Sequence, residues 1–211
     1  MTIAQKMAIA MCVSLIVFAL GTPVLGAVVI NELMADPETD WNSSGVPNYR
    51  DDEWVEVYNN GTGVENLAAY YLRDITDDTP HLQMSGLLQP GQVMVFYGGD
   101  AVAWQQDNEV TVSGLSLNNT GDTVEVVFWD GIDYRVIDSV SYTDHEAEDE
   151  RSSGRDPLTG AWTLYDGLNP HTGSQEPLGS GCLPSPGAPN DCPPLVPVKR
   201  TSWDGLKSLY R

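Results

Sequence analysis

The chain has 211 residues, 41% of them hydrophobic, with 30 acidic and 10 basic side chains and a formal net charge of −20 at pH 7. A surface that negative repels phosphates instead of releasing their counterions, which argues against DNA or RNA as a partner. The plain reading of the charge is solubility; the functional one is calcium, a hard cation that seeks clustered carboxylate and carbonyl oxygens.

Residues 1–26 predict a signal peptide. Lys6 precedes an apolar run from Met7 to Leu20, and Val24-Leu25-Gly26 places small or medium residues at the cleavage positions. The competing reading is an uncleaved anchor from Met7 to Ile30, just long enough to span a bilayer. Gly21, Pro23 and the strand pattern from Val28 speak against it. Cys12 lies inside the apolar run and follows no lipobox. An exported mature chain of about 185 residues, secreted and expected to be soluble, is large enough for one domain with its own core.

The strands come in quick succession. Val28 to Met34 is predicted as the first and Glu53 to Asn59 as the second, where large apolar and acidic residues alternate as in a half-buried strand. Asn59-Asn60-Gly61-Thr62-Gly63 then supplies a turn. Short strands follow at Tyr70 to Asp74 and His81 to Met84, then Gln92 to Tyr97. Thr123 to Trp129 puts Val124, Val126 and Phe128 on one face and Glu125 and Trp129 on the other. Asp130-Gly131 is a hairpin signal into Tyr134 to Tyr142, and Ala161 to Tyr165 closes the series. No internal stretch shows a helical period with caps. Many short strands separated by Gly, Pro and Asn turns predict an all-β, Greek-key β-sandwich.

The wording of these strands adds a family. Ile30-Asn31-Glu32 followed by Asp52-Glu53-Trp54-Val55-Glu56-Val57-Tyr58-Asn59 resembles the opening of the lamin tail domain. In the same order come Leu67 with Tyr71-Leu72-Arg73-Asp74, and Pro90-Gly91 before Val93-Met94-Val95-Phe96-Tyr97. Leu115-Ser116-Leu117-Asn118-Asn119-Thr120-Gly121-Asp122 follows, then the hairpin around Asp130-Gly131 and the closing run Ser185-Pro186-Gly187-Ala188-Pro189-Asn190. No single one is specific, but six in the right order are. The resemblance spans residues 27–190 and is to the secreted bacterial type. It implies an immunoglobulin-like sandwich that serves as a non-catalytic binding or scaffolding module, with an extracellular protein or surface polymer as partner.

Catalytic constellations are scarce. The three histidines, His81, His145 and His171, have no Gly-x-Ser-x-Gly elbow, His-Glu-x-x-His or phosphate-binding glycine loop beside them. The expectation is that the chain is not an enzyme. Calcium is the one cofactor considered, with Glu32, Asp36, Asp40, Asp51, Asp52 and Glu53 as weak ligand candidates and the acidic loop Asp144 to Glu150 as another. Glu32 and Glu56 bear two readings, as hydrogen-bond acceptors for loop backbone or as inner ligands of a cation. Trp41, Trp54, Trp104, Trp129 and Trp162 are expected mainly in packing, with stacking on sugar rings as the alternative. The functional alternatives are therefore a calcium-stabilised carbohydrate-binding module and an accessory subunit of a secreted hydrolase.

After the signal segment, Cys182 and Cys192 remain, an even pair in an oxidising compartment. Their spacing suits neither a redox Cys-x-x-Cys nor a zinc pair, so they are expected to form a disulfide, worth about 2–3 kcal/mol in the chain-entropy picture. Residues 191–198 form a Pro-rich spacer. Residues 199–211 reverse the charge: Lys199, Arg200, Lys207 and Arg211 accompany Trp203, Leu206, Leu209 and Tyr210 at helical spacing. This basic amphipathic tail either folds back on its own acidic domain or docks on an external surface.

Overall fold

The structure is a computed structural model that describes residues 28–75, 79–167 and 179–190. The segment expected to be a signal peptide, Cys192, the expected spacer and the basic tail lie outside the described residues. The elements run β1 (Val28–Met34), β2 (Trp54–Asn59), β3 (Glu65–Asn66), a 3-10 turn (Leu67–Ala69), β4 (Tyr70–Asp74), β5 (Leu82–Gln83), β6 (Leu87–Leu88) and β7 (Val93–Tyr97). The helix α1 (Gly98–Asp107) is followed by β8 (Gly121–Trp129), β9 (Tyr134–Thr143), β10 (Ser152–Arg155) and β11 (Trp162–Tyr165).

All strand pairs are antiparallel. One sheet has the order β11-β10-β1-β2-β7, the second β5-β4-β8-β9, and β3 pairs with β6 separately. The two larger sheets share one core. Ile30, Leu33, Val55 and Val57 of the first meet Leu72, Val124, Val126 and Val140 of the second. This is the all-β, immunoglobulin-like sandwich expected from the strand pattern.

A bulge makes the first strand fit. Simple alternation from Ile30 would place Glu32 on the core side and Leu33 outside. The pairing with β2 slips between Ile30 and Glu32, so that Ile30 opposes Val57, Glu32 opposes Glu56 and Leu33 opposes Val55. Asn31 is the extra residue. The slip returns Leu33 to the core, where it is 1% exposed, and turns Glu32 to the outer face.

Two edges of the sandwich are closed by different means. At one, Asp138 of β9 accepts a hydrogen bond from the Ile30 backbone N–H at 2.8 Å, and Arg155 of β10 donates from Nε to the Ile30 carbonyl at 2.8 Å. These two side chains also pair with each other at 3.0 Å, tying the sheets together. At the other edge α1 packs against both β5 and β7.

The helix corrects the expectation that no internal helix exists. Its opening Gly98-Gly99 reads as a turn, and it carries only a short apolar stripe. Tertiary contacts create it. The Asp100 carboxylate accepts from the Tyr97 N–H at 2.9 Å. The Gly98 N–H donates to Glu53 O at 2.7 Å, so close to the preceding loop that a Cβ at Gly98 would lie 1.8 Å from Arg50 O. Strands β3, β6 and β10 are also additions. The first two are two-residue pairs, and Ser152-Ser153-Gly154-Arg155 has no strand-forming composition of its own.

Candidate functional site

The outer face of the five-stranded sheet is covered around Glu32 and Glu56. The segment 182–190 crosses it as a strap, starting beside a parallel bridge between Leu164 and Gly179. Glu32 accepts hydrogen bonds from the Ser185 N–H at 3.2 Å, the Ser185 hydroxyl at 2.9 Å and the Ser152 hydroxyl. Glu56 accepts from the Gly187 N–H at 2.7 Å and from Asn31 Nδ2 at 2.6 Å. Asn31 also donates to Asn190 Oδ1 at 3.0 Å, and Asn190 Nδ2 donates back to the Arg155 carbonyl at 3.1 Å. Both carboxylates are fully buried.

The half-buried second strand expected from alternation is therefore buried on both faces, because the strap covers its acidic side. Of the two readings for Glu32 and Glu56, the backbone-acceptor one describes the contacts. No cation faces the pair among these donors, so burial dominates its chemistry. Burial pushes Glu56 up to about 7, against the pull of Asn31 and Gly187, and the neighbouring Glu32 adds to the rise. Burial raises Glu32 too, opposed by Ser152 and Ser185. Gly154 makes the clasp sterically possible: a Cβ there would meet Asn190 Nδ2 at 2.5 Å and Glu32 Cγ at 2.9 Å.

Beside the strap lies a crevice of about 570 Å³ bordered by Asn31, Tyr58, Gln92, Arg155 and Pro189. Its one cation is engaged already, since Arg155 pairs with Asp138 and lies 5.2 Å from the centre of the Trp162 ring.

The calcium candidates are dispersed by the fold. Glu32 belongs to the clasp. Asp40 accepts from the Ser44 and Gly45 N–H groups at 2.8 and 2.7 Å. Asp51 pairs with Arg50, and Asp52 accepts from the Asn42 and Asn48 N–H groups at 2.9 and 2.7 Å. Glu53 accepts from the Leu117 N–H at 3.2 Å, and burial pushes it up to about 8. Only Asp36 joins a group with ligand geometry, and its companions are Glu38 and Asp149, whose oxygens lie within 4.8 Å of one another.

Glu150 builds that group by sewing two loops together. Its N–H donates to Asp36 O at 2.9 Å, while its carboxylate accepts from the Glu38 N–H at 2.8 Å and from Trp41 Nε1 at 3.1 Å. Asp149 is thereby carried to Asp36 across more than a hundred residues of sequence. Burial, then contact with Asp149 and the charge of Glu38, raises Asp36, while the Asn119 amide opposes the rise. Opposite oxygens around a calcium ion stand about 4.8 Å apart, twice the usual ligand distance, so the spacing suits such an ion.

The tryptophans divide. Trp54 is fully buried, its ring centre 6.1 Å from that of Trp41. Trp104 of α1 and Tyr71, Tyr134 and Trp129 of the second sheet form a row, with successive centroid distances of 6.4, 5.1 and 4.9 Å. Tyr71 and Tyr134 carried no sequence signal for this role; their places on β4 and β9 decide it.

His81 Nδ1 lies 3.2 Å from Gly114 O and 3.3 Å from Ser113 Oγ, in a polar recess of about 520 Å³ that Asp74 also borders. Gln105 occupies the donors nearby, accepting from the Ser113 and Gly114 N–H groups at 2.8 and 3.0 Å. The contacts there describe a loop anchor. Cys182 is 5% exposed, and its expected partner Cys192 lies outside the described residues. No helix of the described residues is long and apolar enough to cross a membrane.

No curated protein and no solved structure shows a significant match to the chain. The sequence profile of the Lamin Tail Domain family does match, over residues 22–144, which is more than half of the 211. The matched stretch holds β1 to β9, including the bulged Ile30-Asn31-Glu32 strand and its Trp54–Asn59 partner, and the chain belongs to the lamin tail domain family.

Proposed function

We propose that this chain is a secreted, non-catalytic interaction module of the lamin-tail type, acting at the cell surface or in an extracellular matrix on a protein or a surface polymer. The observation that carries this reading is the end of the β8–β9 hairpin. Trp129, Ile132 and Val136 are 38%, 78% and 48% exposed there, and Tyr134 and Tyr71 continue the apolar surface along the sheet. Exposed apolar groups gathered in one place mark an interaction surface, and a row of aromatic rings suits a rigid partner. Export would also close Cys182 onto Cys192 behind the strap.

The test replaces Trp129→Ser and Ile132→Ser together and measures the fraction of secreted protein retained on washed cells. Retention is expected to fall about tenfold while the melting temperature stays within a few degrees of the parent. Unchanged retention refutes the surface.

A second reading, a calcium-stabilised carbohydrate-binding module, is favoured by the convergence of Asp36, Glu38 and Asp149. Millimolar calcium is then expected to raise the melting temperature progressively, and Asp149→Asn to abolish the response. A flat titration removes calcium, and an empty glycan array removes the sugar.

A further inference from the structure

The five arginines of the described residues are all committed to carboxylates: Arg50 to Asp51, Arg73 to Glu125, Arg135 to Asp130, Arg151 to Glu148 and Arg155 to Asp138. Apart from Lys6 in the signal segment, the remaining cations of the chain are Lys199, Arg200, Lys207 and Arg211. They stand with Trp203, Leu206, Leu209 and Tyr210 in one short stretch. The domain offers an acidic, apolar site of the opposite character. Between β5, β7 and α1 runs a groove of about 600 Å³, within the size range of ligand clefts. Met84, Met94, Phe96 and Trp104 line it, and Asp100 and Asp107 stand at its rim.

We propose that residues 199–211 dock as an amphipathic helix in this groove, with the apolar stripe on the partly exposed Met94 and Trp104 and the cations toward the last turn of α1. Met84 is buried beneath the groove, whereas Met94 is only partly covered, and its unbranched side chain adapts to an incoming apolar face. The end of α1 is electrostatically uncompensated. Its last turn holds no basic residue, yet Asp107 adds a negative charge where the helix dipole is already negative. A cation brought there corrects both. This edge is formed by strands β5 and β7, whose outer sides pair with no further strand among the described residues. A helix laid across them would shield both from intermolecular pairing.

The tether is long enough. The strap passes the groove wall at Gly187, where an added Cβ would lie 4.0 Å from Val95, a residue that borders the groove. The eight residues 191–198 span about 25 Å in an extended Pro-rich conformation. If Cys192 is tied to Cys182 on the β11 side, residues 193–198 still cover about 19 Å. That equals the four strand spacings of about 4.8 Å from β11 to β7.

Amide hydrogen exchange on the full secreted chain tests the proposal, comparing the parent with a Trp203→Ser, Leu206→Ser, Leu209→Ser variant. The readout is the exchange rate of residues 82–84 and 93–107 relative to that of β8 and β9. This ratio is expected to rise at least about tenfold in the variant. Asp107→Lys should raise it in the same direction by roughly two- to fivefold. An unchanged ratio in the triple variant overturns the proposal. If the ratio is unchanged and residues 199–211 gain protection only when phosphatidylserine vesicles are added, the segment belongs on an anionic membrane face and the groove is not its site.

Discussion

At its centre, around β1 and β2, the five-stranded sheet is buried on both faces, yet the two are built from opposite chemistry. Inside, Ile30, Leu33, Val55 and Val57 meet the second sheet in an apolar core. Outside, Glu32, Glu56, Asn31 and Asn190 form a hydrogen-bonded layer beneath the strap. The inner face derives its stability from removing hydrocarbon from water, which needs no directional partner. The outer face holds charged groups away from water, and each must be matched by a donor to be tolerated. The first is robust to detail; the second is specific, and it ties the strap to one position.

The contrast can be tested by removing a residue from each side. Leu33→Ala leaves a cavity in the apolar core, and a loss of about 2–5 kcal/mol in chemical denaturation is expected, spread over the whole domain. A loss below about 1 kcal/mol would show that the inner face collapses around the gap. Glu32→Ala strands the Ser152 and Ser185 donors, at an expected cost of about 1–3 kcal/mol. Its signature is local: residues 182–190 should become the first site of proteolysis while β8 and β9 remain protected. Uniform loss of protection would mean that the strap and the sandwich unfold as one unit.

The smallest effect is the dependence on pH. Glu56 and Glu53 are pushed up to about 7 and about 8, and Glu32 is raised as well, in each case mainly by burial. A carboxyl raised in the folded state binds its proton more tightly there than in the unfolded chain. Its favourable contribution is present below the unfolded value and is lost as pH rises through the folded one. The melting temperature is therefore expected to be higher near about pH 5.5 than near about pH 8.5. Glu56→Gln keeps an acceptor for Gly187 and removes the charge opposite Glu32, so it should shrink that difference. An identical pH profile in the variant would show that Glu56 remains ionised without cost.

Much of this was legible in the chain. Strands β1, β2, β4, β7, β8 and β9 announced themselves through alternation and turn residues, because each has an apolar side that must be covered. The resemblance carried by Ile30-Asn31-Glu32 and Asp52 to Asn59 identified the family. The helix α1 did not show, since Gly98-Gly99 signals a turn and only the approach to Arg50 O and Glu53 O makes it a helix start. Strand β10 escaped because Ser152-Ser153-Gly154 pairs by virtue of its position beside β1.

The acidic residues show the same division more sharply. Their number and local clusters were plain from the sequence, which also fixed the apolar positions of the core. It could not say that Asp149 would stand beside Asp36 and Glu38 while Asp51 and Asp52 turned to local partners. Nor could alternation reveal that Glu56 is buried, because period-two patterning reports which residues share a face and not what covers it. Apolar burial is a local demand that every strand expresses in its own composition. Pairing among polar groups depends on which distant segments arrive, and for this sheet that was decided by a nine-residue strap, 182–190, closing over Glu32 and Glu56.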